Sequence, residues 1–371
     1  MTAPLVRLST RLIRVPLTLT WGPAVRELTY IAVEVEDSEG NTGRGFTWTP
    51  TIGAVAVQAL LNHDISTWAM GRPTDPEPLW PELWAHLHEA GGAGVTTIAM
   101  AGLDLALWDL RGVRHQRALS DLLGRRRDSI RVYASGVNLH YPLSELRAQA
   151  LRWVEAGFSA VKIKVGSPDL ADDIERVGAV REIIGPDRLL MVDANQRWDL
   201  ASAERAIGAL SGFGLAWIEE PLRAEDLAGF RELRQRIDVP IALGENVHTC
   251  YRFEEFLNAH VPAVIQPNVV RVGGITPFLD IVRRADEAGV PVFPHLLPEL
   301  SGQLALTLAN ETMIEAVEGA SMGELGVIDG PSPMEISGAT ASERDHSGLG
   351  LVFTSSSPDL SEMQRMPHHA R

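Results

Sequence analysis

Three short apolar runs, each ending in a carboxylate, constrain this chain more than any other feature. They are Leu189-Leu-Met-Val-Asp193, Leu215-Ala-Trp-Ile-Glu219 and Pro240-Ile-Ala-Leu-Gly-Glu245, with 26 residues from each acid to the next. A strand, its loops and a crossover helix together take about that many residues. Successive parallel strands then deliver one acid each at their C-terminal ends, the face where barrel enzymes keep their reactive groups. Three converging acids repel one another unless a cation sits between them. An all-oxygen set suits Mg2+, which keeps part of its shell for water or a substrate oxygen. The rival reading makes each acid a cap on the following helix N-terminus. The equal spacing and a lysine pair described below favour the shared cation.

The chain is long enough for one large domain or two ordinary ones, and 45% of its 371 residues are hydrophobic. Its net charge of −15 and the lack of a basic patch argue against nucleic acid as a partner. Cys250 is the only cysteine, which excludes an internal disulfide framework and points to a reducing compartment. The N-terminus lacks a basic stretch followed by an apolar one, and no apolar run approaches the ~20 residues of a membrane span. These features predict a cytoplasmic globular protein.

Residues 5–15 and 28–36 read as strands, with Asp37-Ser-Glu-Gly40-Asn41 as a turn and Thr20–Arg26 as a loop. Helical patterning covers 53–63 and 96–112. From Arg131 short apolar runs alternate with amphipathic helices such as Glu145–Ala156 and Thr276–Ala288, each stopped by glycine. Eight strand-like runs can be counted, the seventh at Val290–Pro294 and the eighth at Met313–Glu315. This predicts an α/β fold: a (β/α)8-type barrel with its last unit modified. An open doubly wound sheet is the alternative. It usually carries a glycine-rich phosphate loop after its first strand, and Ser135-Gly136-Val137-Asn138 is not one. The predicted organisation is an α+β capping domain over 1–128, the barrel over 129–325, and a tail over 326–371 that packs back on the cap. Leu349–Phe353 reads as one more strand, and Met366–Arg371 as poorly ordered.

Lys162 and Lys164 are two apart on one apolar run and face the same way on a strand, into the barrel mouth. A salt-bridged pair is the bland reading. The functional one is that mutual repulsion and burial depress both pKa values, so that a neutral amine acts as base. Asn195 shares the side of Asp193 if that strand continues, and Glu220 points away as a supporting acid. His295 ends the seventh run and Glu315 the eighth. Each is a structural group or an acid/base group at a strand end.

Taken together, Lys162-Ile-Lys164, Asp193-Ala-Asn195, Trp217-Ile-Glu219-Glu220-Pro221, Gly244-Glu245-Asn246, Arg271-Val-Gly273-Gly274-Ile275, His295 and Glu315 resemble the enolase superfamily, most closely its mandelate racemase subgroup. The resemblance spans nearly the whole chain. It implies Mg2+ held by Asp193, Glu219 and Glu245, a small-molecule carboxylate that chelates it, and abstraction of the α-proton through an enediolate. It implies Lys164 as base on one face, His295 as acid or base on the other, and Lys162 with a protonated Glu315 as hydrogen-bond donors. Trp21, Arg26 and Trp48 fall where the family has lid segments, so they and Asn195 become expected substrate contacts. A homo-oligomer is also implied.

Two residues depart from the pattern. The subgroup usually pairs its histidine with an aspartate, and here Asn268 stands in that place. A neutral amide stabilises imidazolium less, so a lowered His295 pKa is expected, against a two-base racemase. Arg44 lies between Gly43 and Gly45, where relatives carry a bulky apolar residue. The leading expectation is a Mg2+-dependent acid-sugar dehydratase. A racemase, epimerase or cycloisomerase using the same enediolate is second, and an inactive barrel kept for binding is the rival of a different class.

Overall fold

The N-terminal alternation of apolar and polar residues builds a three-stranded antiparallel sheet, β1 (Leu5–Trp21), β2 (Val25–Asp37) and β3 (Thr42–Thr49). The computed structural model describes residues 3–22 and 25–355, so the expectation for Met366–Arg371 lies outside the described residues. β1 and β2 run well past the predicted 5–15 and 28–36. Within the predicted loop over 20–26, Trp21 ends β1 and Val25 begins β2, and the two lie opposite each other. Pro16 does not stop β1; the register shifts between Pro16 and Trp21.

One face of this sheet packs on α1 (Ala54–Leu60) and α3 (Val95–His115), with α2 (Pro76–Leu87) alongside. Gly43 and Gly45 make that contact possible: a Cβ on either would fall 2.2–2.4 Å from backbone atoms of Ala106. Arg44, between them, points to the other face and pairs with Glu34 across the strands at 3.5 Å.

The barrel strands are β4 (Ser129–Ser135), β5 (Ala160–Lys164), β6 (Leu189–Asp193), β7 (Leu215–Glu219), β8 (Ile241–Leu243), β9 (Val264–Ile265) and β10 (Met313–Val317). Crossover helices α4 (Leu143–Glu155), α5 (Leu170–Ile184), α6 (Leu200–Leu210), α7 (Leu227–Arg234) and α8 (Cys250–Asn258) separate the first six staves. α9 (Ile275–Ala288) and α10 (Pro298–Ala305) follow. β4 to β9 pair in parallel in that order, and β10 closes the ring by pairing in parallel with β4.

The predicted seventh strand over 290–294 is reduced to a single bridge between Ile265 and Val292. Pro291 and Pro294 flank it, and a proline has no N–H for a ladder. Its link to the last stave runs through the Thr312 hydroxyl, which donates to the Val292 carbonyl at 2.7 Å.

Among the described residues no helix follows β10. The chain forms a hairpin, β11 (Met334–Ser337) and β12 (Thr340–Glu343), and β12 pairs antiparallel with β4. The predicted strand at 349–353 is not formed; only the bridge from Ile328 to Phe353 marks it. Phe353 lies 6.0 Å from Phe46, and the Leu349 N–H donates to Asp109 of α3, so this segment rests on the cap. No helix among the described residues is long and apolar enough to cross a membrane.

Alternate residues of the staves fill the barrel. A lower layer of Tyr133, Ala160, Met191, Trp217, Ala242, Val264, Phe293 and Met313 forms its apolar floor. The next inward positions include Lys162, Asp193, Glu219, His295 and Glu315, and these belong to the site.

Candidate active site

Strand register brings the first polar layer together. Lys164 is level with Asp193, Asp193 with Glu219, and Tyr133 with Glu315. Glu245 lies beyond the end of β8. Gly244 turns the chain back with φ 147°, where a Cβ would meet the Gln266 backbone at 2.7 Å. One carboxylate oxygen from each of Asp193, Glu219 and Glu245 lies within 4.8 Å of the others. Asp193 and Glu219 are fully buried.

Lys162 sits below them. It donates to both Glu219 oxygens at 2.8 and 2.9 Å and contacts Glu315 Oε1 at 2.8 Å. Lys164 Nζ donates to Asp193 Oδ2. His295 Nε2 is 2.7 Å from Glu245 and 3.7 Å from Glu315.

These contacts correct three expectations. Burial lowers both lysine pKa values, but the carboxylates outweigh it. Glu219 and Glu315 hold Lys162 well above its ordinary value, and Asp193 raises Lys164. Repulsion by Lys162 still opposes the rise at Lys164, but does not win. Glu315 is not protonated: burial pushes it up, yet Lys162, His295 and Lys164 bring it to about 2. His295 is raised rather than lowered, because Glu245 and Glu315 outweigh its burial. The amide of Asn268 faces only one ring nitrogen, and the Glu245 carboxylate against the other one decides the direction.

Asn268 fixes which nitrogen of that ring is free. Its Oδ1 accepts from the N–H groups of Val270 and Arg271, both at 3.1 Å, so its amide nitrogen faces His295 Nδ1 at 2.9 Å. Nδ1 therefore accepts, and the neutral ring carries its proton on Nε2.

The donor set fits a divalent cation. Asp193, Glu219, Glu245 and Glu315 bring four negative charges against the two of Lys162 and Lys164. Glu219 registers the imbalance. Burial first, then Asp193, Glu315 and Glu245, push it up to about 7 although Lys162 opposes them. Hard carboxylate oxygens suit Mg2+.

Other predicted residues land differently. β6 stops at Asp193, so Asn195 does not continue the strand. It has φ 44° and binds Asp193 through its N–H at 2.7 Å and its amide at 3.1 Å. Glu220 turns away, as expected for a supporting acid, and accepts from Asn246, which also donates to Glu245. Trp48 is a core residue, buried and stacked on Tyr30 with Trp21 edge-on at 6.2 Å. Arg26 is exposed on β2. The end of β1 does reach the barrel mouth, where Leu19 lies beside Gly319, just past β10.

Sequence reasoning passed over Gln266, which donates to Glu219 at 2.8 Å, and Asn138, which accepts from the Lys164 N–H at 3.0 Å. Gln266 ends the sixth apolar run as the acids end theirs, and that position was its signal. Seven non-glycine residues have positive φ among the described residues; Gln116 and His260 follow helices away from the site, and the other five are Asn195, Gln196, Glu220, Leu296 and Leu297. All five lie just past Asp193, Glu219 or His295, where strained backbone is commonly concentrated at functional sites.

A barrel with an α+β cap, acids ending three consecutive staves and lysines on the stave before them define an enolase-type enzyme scaffold. The comparisons agree. Residues 145–357 match the "Enolase C-terminal domain-like" family and 3–124 the "Mandelate racemase / muconate lactonizing enzyme, N-terminal domain" family. The chain belongs to the mandelate racemase and muconate lactonizing enzyme group of the enolase superfamily. It is 36% identical over 356 residues to the 3,6-anhydro-alpha-L-galactonate cycloisomerase of Streptomyces coelicolor, covering 94% of this chain and 96% of that one. It is 35% identical to the L-talarate/galactarate dehydratase of Salmonella typhimurium, covering 79% and 74%. The structure of L-talarate dehydratase from Polaromonas sp. JS666, complexed with Mg and L-glucarate, superposes with a TM-score of 0.86 at 33% identity, covering 95% and 96%.

Proposed function

We propose that this protein catalyses Mg2+-dependent removal of the proton α to the carboxylate of an acid sugar, followed by β-elimination. One observation carries the proposal: Asp193, Glu219 and Glu245 share one barrel mouth, with Lys164 against the first and His295 against the last. Asp193, Glu219 and Glu245 would hold the cation. When bound, it supplies electrostatic stabilisation of the charge that builds on the substrate carboxylate as the enediolate forms.

Lys164 takes the α-proton. It is held protonated chiefly by Asp193. Once that carboxylate is shared with a cation, burial and the repulsion of Lys162 favour the neutral amine. Lys162 remains a donor beside the developing oxyanion. The Nε2–H of His295 donates a hydrogen bond to the departing β-oxygen, and the proton that oxygen needs to leave is the one Lys164 has taken from C2. His295 cannot also accept an α-proton there, which disfavours two-base racemisation.

In the leading reading the departing group is the 3-hydroxyl, and the product is a 2-keto-3-deoxy acid. The near-full-length similarity to a cycloisomerase favours a second reading. In a 3,6-anhydro sugar acid the ring oxygen on C3 occupies the same β position, so the same two steps open the ring without loss of water. A cytoplasmic location and a homo-oligomer belong to the proposal too, on the single cysteine and on family layout.

The test is incubation with Mg2+ and a panel of aldonates, aldarates and 3,6-anhydro aldonates in D2O, followed by NMR. A 2-keto acid with one deuterium at C3 is expected. Exchange or inversion at C2 without a keto acid would overturn elimination, and no reaction with any member would overturn the substrate class.

A further inference from the structure

At the top of the barrel a run of buried amides ends on the peptide of Lys164. The parallel ladder between β4 and β5 stops at Ser135 and Lys162, so the Lys164 N–H has no strand partner on that side. The Asn138 side chain replaces the missing strand, accepting that N–H at 3.0 Å. Asn138 Nδ2 donates to Gln149 Oε1 at 2.8 Å, and Gln149 Nε2 donates to Glu318 Oε2 at 2.6 Å. Arg152 donates to Glu318 Oε1 at 3.0 Å, and Arg176 holds the Asn138 carbonyl at 2.7 Å. Asn138 and Gln149 are buried, at 0% and 1% exposure.

Each amide donates in the same direction, from Lys164 toward the Glu318 carboxylate. Such a chain polarises along its length, and only an acceptor can end it. Gly136 leaves room for it: a Cβ there would stand 2.8–3.0 Å from the Gln149 and Asn138 amide atoms. The chain joins β5 to α4 and to the residue just past β10, the stave that carries Glu315.

We infer that Asn138, held by Gln149 and Glu318, is a positioning residue that sets the reach of Lys164 toward the substrate α-carbon. The inference rests on the reading of Lys164 as the base. None of the three residues needs to touch substrate. Misplacement of a reacting group by about 1 Å costs on the order of a hundredfold in rate, so a peptide anchor of this kind shows in turnover more than in binding.

The test is a swap. In Gln149→Glu two carboxylates meet and the chain breaks. In the double variant Gln149→Glu with Glu318→Gln, Glu at 149 accepts from Asn138 and from the new amide at 318, whose oxygen still accepts from Arg152. The single variant is expected to lower kcat about tenfold to a hundredfold on the best acid sugar of the panel. Its KM and its Mg2+ Kd should stay within about twofold. The double variant should recover to within about threefold. Gln149→Met breaks the chain without burying a charge and should match the single variant, which covers a failure of the charged form to fold.

Hydrogen exchange at the Lys164 amide is read in parallel on the Mg2+-loaded protein. It should speed up at least tenfold in both single variants and return in the double. Unchanged exchange would overturn the anchor even if no acid sugar is turned over. Faster exchange with unchanged kcat would overturn its positioning role. A loss of KM and Mg2+ binding together with kcat, without recovery in the double, would show a merely structural network.

Discussion

Lys164 is useful as a base only if it spends part of its time neutral, and its surroundings decide that. Asp193 raises its pKa, while burial and Lys162 lower it. Lys164→Ala is expected to lower kcat by about a thousandfold or more while leaving Mg2+ binding intact. Activity close to wild type would remove the base assignment. Asn268→Asp tests the opposite side. A carboxylate accepts from Nδ1–H, so Nε2 is freed to take a proton. The variant should gain epimerisation at C2 that the parent lacks; no epimerisation in the variant would show that Asn268 does not set the tautomer. These identities were legible in the sequence because strand-end residues announce themselves by interval and by ending apolar runs. Their charge states were not. Glu315 and His295 were misjudged because each titrates against groups from other staves, which no local pattern reveals. Asn138 and Gln149 were invisible for the same reason, being partners only through the barrel's closure.

Elements, more than single residues, assemble the cation site, because β6, β7 and the turn after β8 each contribute one acid. Mg2+ at about a hundred times its Kd should stabilise the fold by about 2.7 kcal/mol, and chelation should remove that gain. Glu219→Gln is expected to abolish the Mg2+-dependent rise in Tm. An equal rise in that variant would place the ion elsewhere. Gly244→Ala reaches the same site through the backbone: a Cβ at φ 147° runs into Gln266, so Glu245 must shift. A stability loss of roughly 1–3 kcal/mol with weaker Mg2+ binding is expected from calorimetry. The staves with unbroken β-branched or aliphatic runs were readable. The seventh was not fully so, since its prolines allow only one bridge and side-chain bonds do the rest. The extent of β1 was underestimated because it continues past Pro16, a residue that ordinarily marks an ending, to Trp21.

At the scale of the whole molecule, two buried aspartates of α3 hold the parts together. Asp109 accepts from the N–H of Arg44 in β3 and of Leu349 in the returning tail. Asp104 crosses from cap to barrel and caps α9, accepting from the Thr276 N–H at 3.0 Å and its hydroxyl at 2.6 Å. Trp108 donates to that same hydroxyl. Burial pushes Asp104 up to about 7 despite the Thr276 bonds, and Asp109 to about 6. An unfolded aspartate titrates near 3.9. Between about pH 4 and 7 the native chain therefore binds a proton at Asp104 that the unfolded chain has released. Stability from this group is complete below about pH 4 and falls as pH rises through 7. Asp104→Asn keeps an acceptor for the Thr276 N–H but removes the titration. The difference in unfolding free energy, wild type minus variant, should shrink by roughly 3–4 kcal/mol from pH 4.5 to 7.5 in chemical denaturation. A difference that stays flat or grows with pH would mean that the carboxylate is charged in the native interface, and that cap and barrel are joined there by an ionised cap on α9 instead of a protonated one.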